Sequence, residues 1–363
     1  MKLPFSRISP LLALTLGLSA LAEPAPPAKE TILGHGAAKY RVHLDWAKAD
    51  PAVAPVINSH AMAEGSDGLL YLVTDHPENA FLVFKKDGTF VRHFGKGLEG
   101  GHGLEIFKKD GVEYLIHVDC GWHFGAEGWT PRFGRGAVTL LKMDGTIVRR
   151  FADPVELGLM KPEEKFNPTD VAVTPEGTIL VVDGYASDRI FEFTFTGELV
   201  RHWGGHKKDD PGNLSNAHGI SIDLSDAAKP LVWVSSREEN LIKAFTLDGK
   251  FVEKIDLPGA YAGQLFIRGD KMYSAVCWSK ENGTGKRLGE SGFVVVIDRK
   301  TRKVISAPGG SEPVYVDGKL QPLRQTDHVF LHGHDLYVDS EENIYVGEWN
   351  AKRRYPTKLE LVK

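Results

Sequence analysis

Three histidines precede apolar, strand-like runs in matching surroundings: His102 in GGHGLEI, His218 in NAHGISI and His334 in GHDLYV. Neutral imidazole suits Zn²⁺, and three protein ligands with an open fourth position make up a catalytic zinc site. Asp335 follows His334 directly, and Leu104 follows the His102-Gly103 pair. A carboxylate with backbone carbonyls suits a second, hard cation such as Ca²⁺. Tyr185, in VVDGYASDRI, and Arg237, in SSREENLI, fall at nearly the same point of two successive repeats. A phenol beside a divalent metal can have its pKa lowered and act as a base, and a guanidinium can clamp a carboxylate. Each residue also has a structural reading. A repeat turn that favours His would fill the centre of the fold with structural imidazoles. Asp335 would cap a turn, and Asp183 and Arg189 belong to a D-x-x-x-x-x-R-I pattern of the repeat itself.

The repeat is clearest from Phe166 to Gly204, which holds four β-type runs, DVAV, GTILVVD, RIFEFT and GELVRHW, with Gly177 and Gly197 at tight turns. Similar units begin near Ser59, His102, His218, Gln264 and His334, the fifth being degenerate. Six four-stranded units of about 40 residues predict an all-β, six-bladed β-propeller. The last unit has only a weak terminal strand, LELV, whereas KYRVHLDWA near the N-terminus resembles the last strand of a repeat. The N-terminal segment is therefore expected to supply the outer strand of blade 6 and close the ring, leaving no long exposed edge. The inner strand of each blade lines the axis. The residues at its start are His60, His102, Thr169, His218, about Gln264, and His334. His102, His218 and His334 fall in blades 2, 4 and 6, so they should lie about 120° apart around one axis. His60 is an ambiguous fourth: a ligand, a supporting group or a relic of the repeat. Insertions at 121–136, 279–292 and 306–326 are placed to shape a binding face.

Bulk properties narrow the function. Residues 1–22 combine Lys2 and Arg7, an apolar run from Pro10 to Leu21, and Ala20-Leu21-Ala22 before Glu23. This pattern predicts a signal peptide and export to the periplasm or medium, with a retained N-terminal anchor as the alternative. Residues 23–37 read as a flexible leader and 38–363 as the propeller. No later apolar run approaches the roughly 20 residues of a membrane span. The net charge of −4 gives no basic footprint for nucleic acid. The two cysteines, Cys120 and Cys277, fall in different repeats and are expected to be unpaired. A small-molecule or peptide substrate and a monomeric chain complete the expectation.

The repeats resemble NHL-repeat propellers. More narrowly, the chain resembles peptidyl-α-hydroxyglycine α-amidating lyase, through NPTDVAV…VVDGYASDRIFEF…GELVRHWG, His102-Gly103-Leu104, Ala217-His218, Arg237-Glu238-Glu239-Asn240 and His334-Asp335. The resemblance implies that His102, His218 and His334 are zinc ligands, Tyr185 the catalytic base and Arg237 an active-site arginine. It implies Asp335 and the Leu104 carbonyl at a calcium site. The implied reaction splits a peptidyl α-hydroxyglycine into a peptide amide and glyoxylate, with zinc as Lewis acid. The chain departs from that family in blade 1, where LVTDHPENAF holds no counterpart of a second arginine and His76 is the nearest polar residue. His332 stands where the family has Met, and is a candidate extra ligand. Ala186 replaces a disulfide-forming cysteine. Two other readings stay open: a metal-dependent hydrolase of lactonase type, and a non-catalytic NHL propeller that binds a protein or glycan.

Overall fold

The computed structural model describes residues 31–126, 129–206 and 210–363. The expected signal peptide and residues 23–30 of the expected leader lie outside the described residues.

Six antiparallel sheets follow one another around a ring, as expected. Blade 1 comprises Ser59–Glu64, Leu70–Thr74, Phe81–Phe84 and Phe90–Phe94. Blade 2 comprises Gly101–Lys109, Val112–Asp119, Ala137–Lys142 and Ile147–Arg150. Blade 3 contains Asp170–Val173, Ile179–Asp183, Arg189–Phe193 and Leu199–Gly204, and blade 4 contains Ala217–Asp223, Leu231–Ser236, Leu241–Thr246 and Phe251–Asp256. The degenerate fifth repeat still makes a full sheet of Ala260–Arg268, Lys271–Ser279, Phe293–Asp298 and Lys303–Ser306. Blade 6 joins Gly333–Val338, Ile344–Glu348 and Thr357–Leu361 to the N-terminal strand Ala38–His43.

The closure is as the sequence predicts: Tyr40, Arg41, Val42 and His43 pair with Leu361, Glu360, Leu359 and Lys358. One expectation fails. The leader was drawn to residue 37, but Ile32–His35 forms a further strand that pairs with Ala38–His43. Its alternation puts Leu33 into the core between blades 5 and 6, and His35 N donates to Ser306 Oγ at 2.8 Å. The turn Gly36-Ala37 between two short strands carried this signal, which the Pro/Ala-rich stretch before it masked.

The inner strands of neighbouring blades touch all the way around, blade 6 against blade 1 included. Between each pair of neighbours lies one apolar cluster, six in all. The middle strands explain why: ILVVD of blade 3 and LYLVT of blade 1 are buried at every position, as strands sandwiched on both faces must be. The outer strands are largely exposed, with Val91, Val200 and Val252 turned to solvent. Truncating a leucine in such a cluster costs about 2–5 kcal/mol, so the packing fixes the spacing of the strands that line the axis. Among the described residues no helix is long and apolar enough to cross a membrane.

Candidate metal centre and its mouth

Each axial side chain is aimed by a bulge at the start of an inner strand. In blade 2 Gly101 pairs with Asp119 and Leu104 with His117, leaving His102 and Gly103 out of register. The same break falls around His60-Ala61, His218-Gly219 and His334-Asp335. A bulge bends the strand and re-aims its side chains, and here it turns the first residue of each pair to one level of the axis and the second to the next. In blade 5 the bulged pair is Gly263-Gln264. The histidine register there is therefore held by Gly263, not by Gln264 as the repeat suggested. The reason is steric: a Cβ on Gly263 would lie 2.0 Å from the His334 carbonyl oxygen. Thr169 holds that register in blade 3, where its N–H donates to Val182 O at 2.8 Å and its hydroxyl to Ala217 O at 2.8 Å.

The upper level is a cluster of buried imidazoles. The ring centroids of His102, His218 and His334 lie 4.8, 4.5 and 4.6 Å apart in pairs. His60 joins from blade 1, 4.6 Å from His334 and 5.1 Å from His102. Hydrogen-bond partners bear on the tautomers of His102, His60 and His334, whereas His218 Nδ1 is buried with none. Thr169 O can only accept, so the His102 Nδ1–H donates to it at 2.6 Å and Nε2 is left bare. His334 Nδ1 faces Asp335 Oδ2 and His60 Nδ1, each at 3.3 Å. The His60 Nε2–H donates to Asp75 Oδ2 at 3.4 Å, which leaves His60 Nδ1 an acceptor and puts the His334 hydrogen on Nδ1. Asp75 is itself held by the Asn58 N–H and side-chain amide.

The Nε2 nitrogens converge. His218 Nε2 lies 3.1 Å from His334 Nε2, and Tyr185 Oη lies 3.0 Å from His102 Nε2 and 3.1 Å from His218 Nε2. With Zn–N bonds of about 2.0–2.1 Å, the ligand atoms of a tetrahedral site stand about 3.3 Å apart. These three spacings are of that size, with the phenol oxygen beside the His102 and His218 nitrogens. His60, His102 and His334 also bring ring nitrogens within 4.8 Å of one another. His60 presents to His334 the Nδ1 that accepts from it, and His218, whose Nε2 meets His334 Nε2 at 3.1 Å, falls outside that mutually close group. Burial pushes the His102, His218 and His334 imidazoles well below their ordinary pKa, which keeps them in the neutral form that a metal requires. His218 Nδ1 is buried without a partner, so no hydrogen bond assigns its tautomer; with the hydrogen on Nδ1, two bare Nε2 atoms face each other and are poorly satisfied unless a cation sits between them.

Tyr185 reaches the axis through a tightly specified loop. Asp183 accepts from Asn167 N and from Ser187 N at 2.7 and 3.0 Å, and Tyr185 N donates to Asn167 O at 3.2 Å. A Cβ on Gly184 would stand 1.5 Å from Ala217 O, so only glycine lets this loop lie against the strand that carries His218. Burial pushes the phenol above its ordinary pKa, and the Arg237 guanidinium opposes that shift. The lowered phenol expected beside a metal thus depends on the metal's own charge. Arg237 opens a single 3₁₀ turn, Arg237–Glu239, and is 2 % exposed. Its Nε donates to Ala262 O at 3.3 Å, while Nη2 is buried with no protein partner.

The level below holds carboxylates. Asp335 Oδ1 accepts from Gln264 N at 3.1 Å. Asp170, which follows Thr169 as Asp335 follows His334, was not picked out from the sequence. Its Oδ2 accepts from Ile220 N at 2.9 Å and its Oδ1 is buried without a partner. Burial and the Asp335 charge raise Asp170 well above the usual carboxylate range. Glu105, one strand position beyond Leu104, is pushed up by burial to about 8. Leu104, Glu105 and Gln264 line a cavity of about 340 Å³ at this end of the axis. Paired buried carboxylates with an orphaned oxygen fit a hard cation.

Two expected accessory residues do other work. His332 accepts from Glu290 N at Nε2 (3.0 Å) and its Nδ1 faces Asn350 O at 3.3 Å, so neither nitrogen is free for a metal. It ties the 279–292 insertion to the rim instead. His76 Nδ1 accepts from Glu78 N at 3.2 Å and caps its own turn. Cys120 and Cys277 are free and buried, as expected.

Fold and site together define a six-bladed β-propeller with a buried polyhistidine centre able to hold a metal on its axis. The chain is similar to the peptidylglycine α-amidating monooxygenase of Rattus norvegicus, 36% identical over 95 residues, which are 24% of this chain and 9% of that protein. It is also 34% identical over 93 residues to peptidyl-glycine α-amidating monooxygenase B of Xenopus laevis, 24% of this chain and 10% of that one. The match thus spans about a tenth of the length of these curated relatives. No family model matches the chain. Among solved structures it resembles a gluconolactonase of Xanthomonas campestris (TM-score 0.53, 14% identity, 94% of this chain and 99% of that one) and a streptogramin B lyase (TM-score 0.50, 13% identity, 89% and 98%). At these identities the likeness shows the propeller fold.

Proposed function

We propose that this chain is an exported metal-dependent lyase that splits an N-acyl α-hydroxyglycine, peptidyl or smaller, into an amide and glyoxylate. The observation that carries the reading is the meeting of the Tyr185 phenol with the Nε2 atoms of His102 and His218 at 3.0 and 3.1 Å. His102, His218 and His334 would hold zinc, and Asp335, Asp170 and the Leu104 carbonyl would hold calcium below it. Bound zinc would act as a Lewis acid on the substrate hydroxyl and lower the pKa of the neighbouring phenol.

The remaining steps belong to the chain. Arg237 Nη2 receives the substrate carboxylate and orients the α-carbon. Tyr185 Oη takes the hydroxyl proton. The O–H electron pair becomes the carbonyl of glyoxylate, the C–N pair leaves with nitrogen, and a proton delivered to that nitrogen completes the amide. The similarity to the amidating enzymes supports this chemistry over others. Export rests on the residue pattern of positions 1–22.

The test is glyoxylate release from α-hydroxyhippurate by the zinc-loaded protein. Release that disappears with chelation supports the lyase. Stoichiometric zinc with no release from this or a peptidyl substrate contradicts it and favours the hydrolase reading, in which the same centre activates water.

A further inference from the structure

Four of the chain's seven tryptophans gather at the mouth above the histidines. Trp122, Trp278 and Trp349 line a cavity of about 280 Å³ together with Tyr185, Arg237, Arg287 and His334. Trp122 stacks on the Tyr185 ring, with centroids 5.3 Å apart and planes at 28°. Trp349 contacts Trp278 at 6.0 Å and Trp129 at 5.5 Å, and Trp129 contacts Phe124 at 5.0 Å. The rim stays open to solvent: Trp129 is 44% exposed and Phe133, packed on Trp122, is 62% exposed. Most of these rings come from the 121–136 insertion. Nothing in closing the propeller requires that insertion to carry large aromatic side chains to the mouth.

The wall at Trp278 is cationic. The buried Arg237 lies 5.5 Å from the Trp278 ring centre, and Arg287, from the 279–292 insertion, lies 4.6 Å from it while bonding Glu238 at 2.8 Å. A cavity near the small end of the usual 300–1,000 Å³ range admits a small molecule, not a folded partner. Its buried guanidinium has an empty donor, and Trp122, Tyr185, Trp278 and Trp349 supply π surface to the lining beside Asn216, Glu238 and Cys277.

We propose that the mouth selects the acyl half of the substrate: a small carboxylate whose amide carries an aromatic or other flat apolar acyl group, stacked among Trp122, Trp278, Trp349 and Trp129. This deepens the proposed lyase reading and rests on it for the carboxylate's place at Arg237. The acyl group lies against the rings with its amide nitrogen turned toward Tyr185. Stacking against aromatic faces adds to the gain from burying the ring.

The test compares hippurate with N-acetylglycine, two unreactive glycine amides that differ only in benzoyl against acetyl. Their binding to the zinc-loaded protein is followed by calorimetry. Hippurate should bind roughly tenfold tighter or better, since burying a phenyl ring outweighs burying a methyl by that much. Trp349→Ala and Trp129→Ala should each shrink the ratio, and Trp129→Phe should restore most of it. Equal binding of the two ligands to the wild type, or a ratio unchanged in both alanine variants, overturns the proposal. Because neither ligand reacts, the result stands apart from glyoxylate release: a preference for hippurate with no turnover of α-hydroxyhippurate would sink the lyase and keep the acyl subsite.

Discussion

The upper and lower levels of the axis use the same device for opposite chemistry. At the first position of the bulged pair, blades 1, 2, 4 and 6 place His60, His102, His218 and His334; at the second they place Ala61, Gly103, Gly219 and Asp335. Burial holds His102, His218 and His334 neutral, against the opposing pull of the Thr169 O acceptor on His102. The lower level brings carboxyl groups together, since Asp170 and Asp335 enter from opposite blades with backbone N–H groups as their main partners. Glycine at Gly103 and Gly219 lets the strands close in: a Cβ there would meet the Cα of Asp170 at 2.8 Å and of Gln264 at 2.2 Å. One register therefore sets borderline donors above hard donors, and on the proposed reading the donor types, not the backbone, decide which cation each level takes.

The largest expected effect comes from Tyr185→Phe, which removes the acid–base oxygen and leaves the three nitrogens in place. It should lower kcat for glyoxylate release by about 10²–10⁴-fold with zinc content unchanged. Equal activity would remove Tyr185 from the chemistry and leave the upper level a bare metal site.

A smaller change tests how the upper level is held from outside. His60→Ala cuts the line from Asp75 through His60 to His334 Nδ1. Support of this kind is worth about 10–100-fold in metal affinity, so zinc should bind that much more weakly by competition with a chelator. An unchanged affinity would assign the orientation of His334 to Asp335 alone. Full loss of binding would make His60 a ligand in place of His218.

The lower level gives the smallest effect. Calcium should raise the melting temperature of the wild type by a few degrees, since a ligand at 100 times its Kd stabilises by about 2.7 kcal/mol. Asp170→Asn removes the orphaned carboxylate and should abolish most of that rise without altering zinc content. A calcium response that persists in full would show that Asp170 is not a ligand.

Much of this was legible in the sequence, for reasons that can be named. The repeat of turn glycines and apolar runs gave the propeller, and KYRVH paired with the C-terminal strand because a ring needs its last edge covered. The histidines were readable because they recur in one register. Asp170 was missed because blade 3 carries it behind a threonine instead of a histidine, so the pattern that drew attention to Asp335 was absent. Gln264 was misplaced by one residue because glycine, which the crowding at His334 O demands, leaves no side chain to mark the register. The tryptophan rim went unread because insertions have no repeat against which to align them. Only the folded mouth brings Trp122 of blade 2 near Trp278 of blade 5 and Trp349 of blade 6.

The central claim is that the Nε2 nitrogens of His102, His218 and His334 hold one metal ion. It is tested most directly by metal analysis of the purified protein beside His218→Ala. One zinc per wild-type chain and a loss of most of it in the variant, with the fold intact by circular dichroism, is the predicted result. Wild-type protein that takes up no stoichiometric metal, or a variant that keeps it all, would contradict the account.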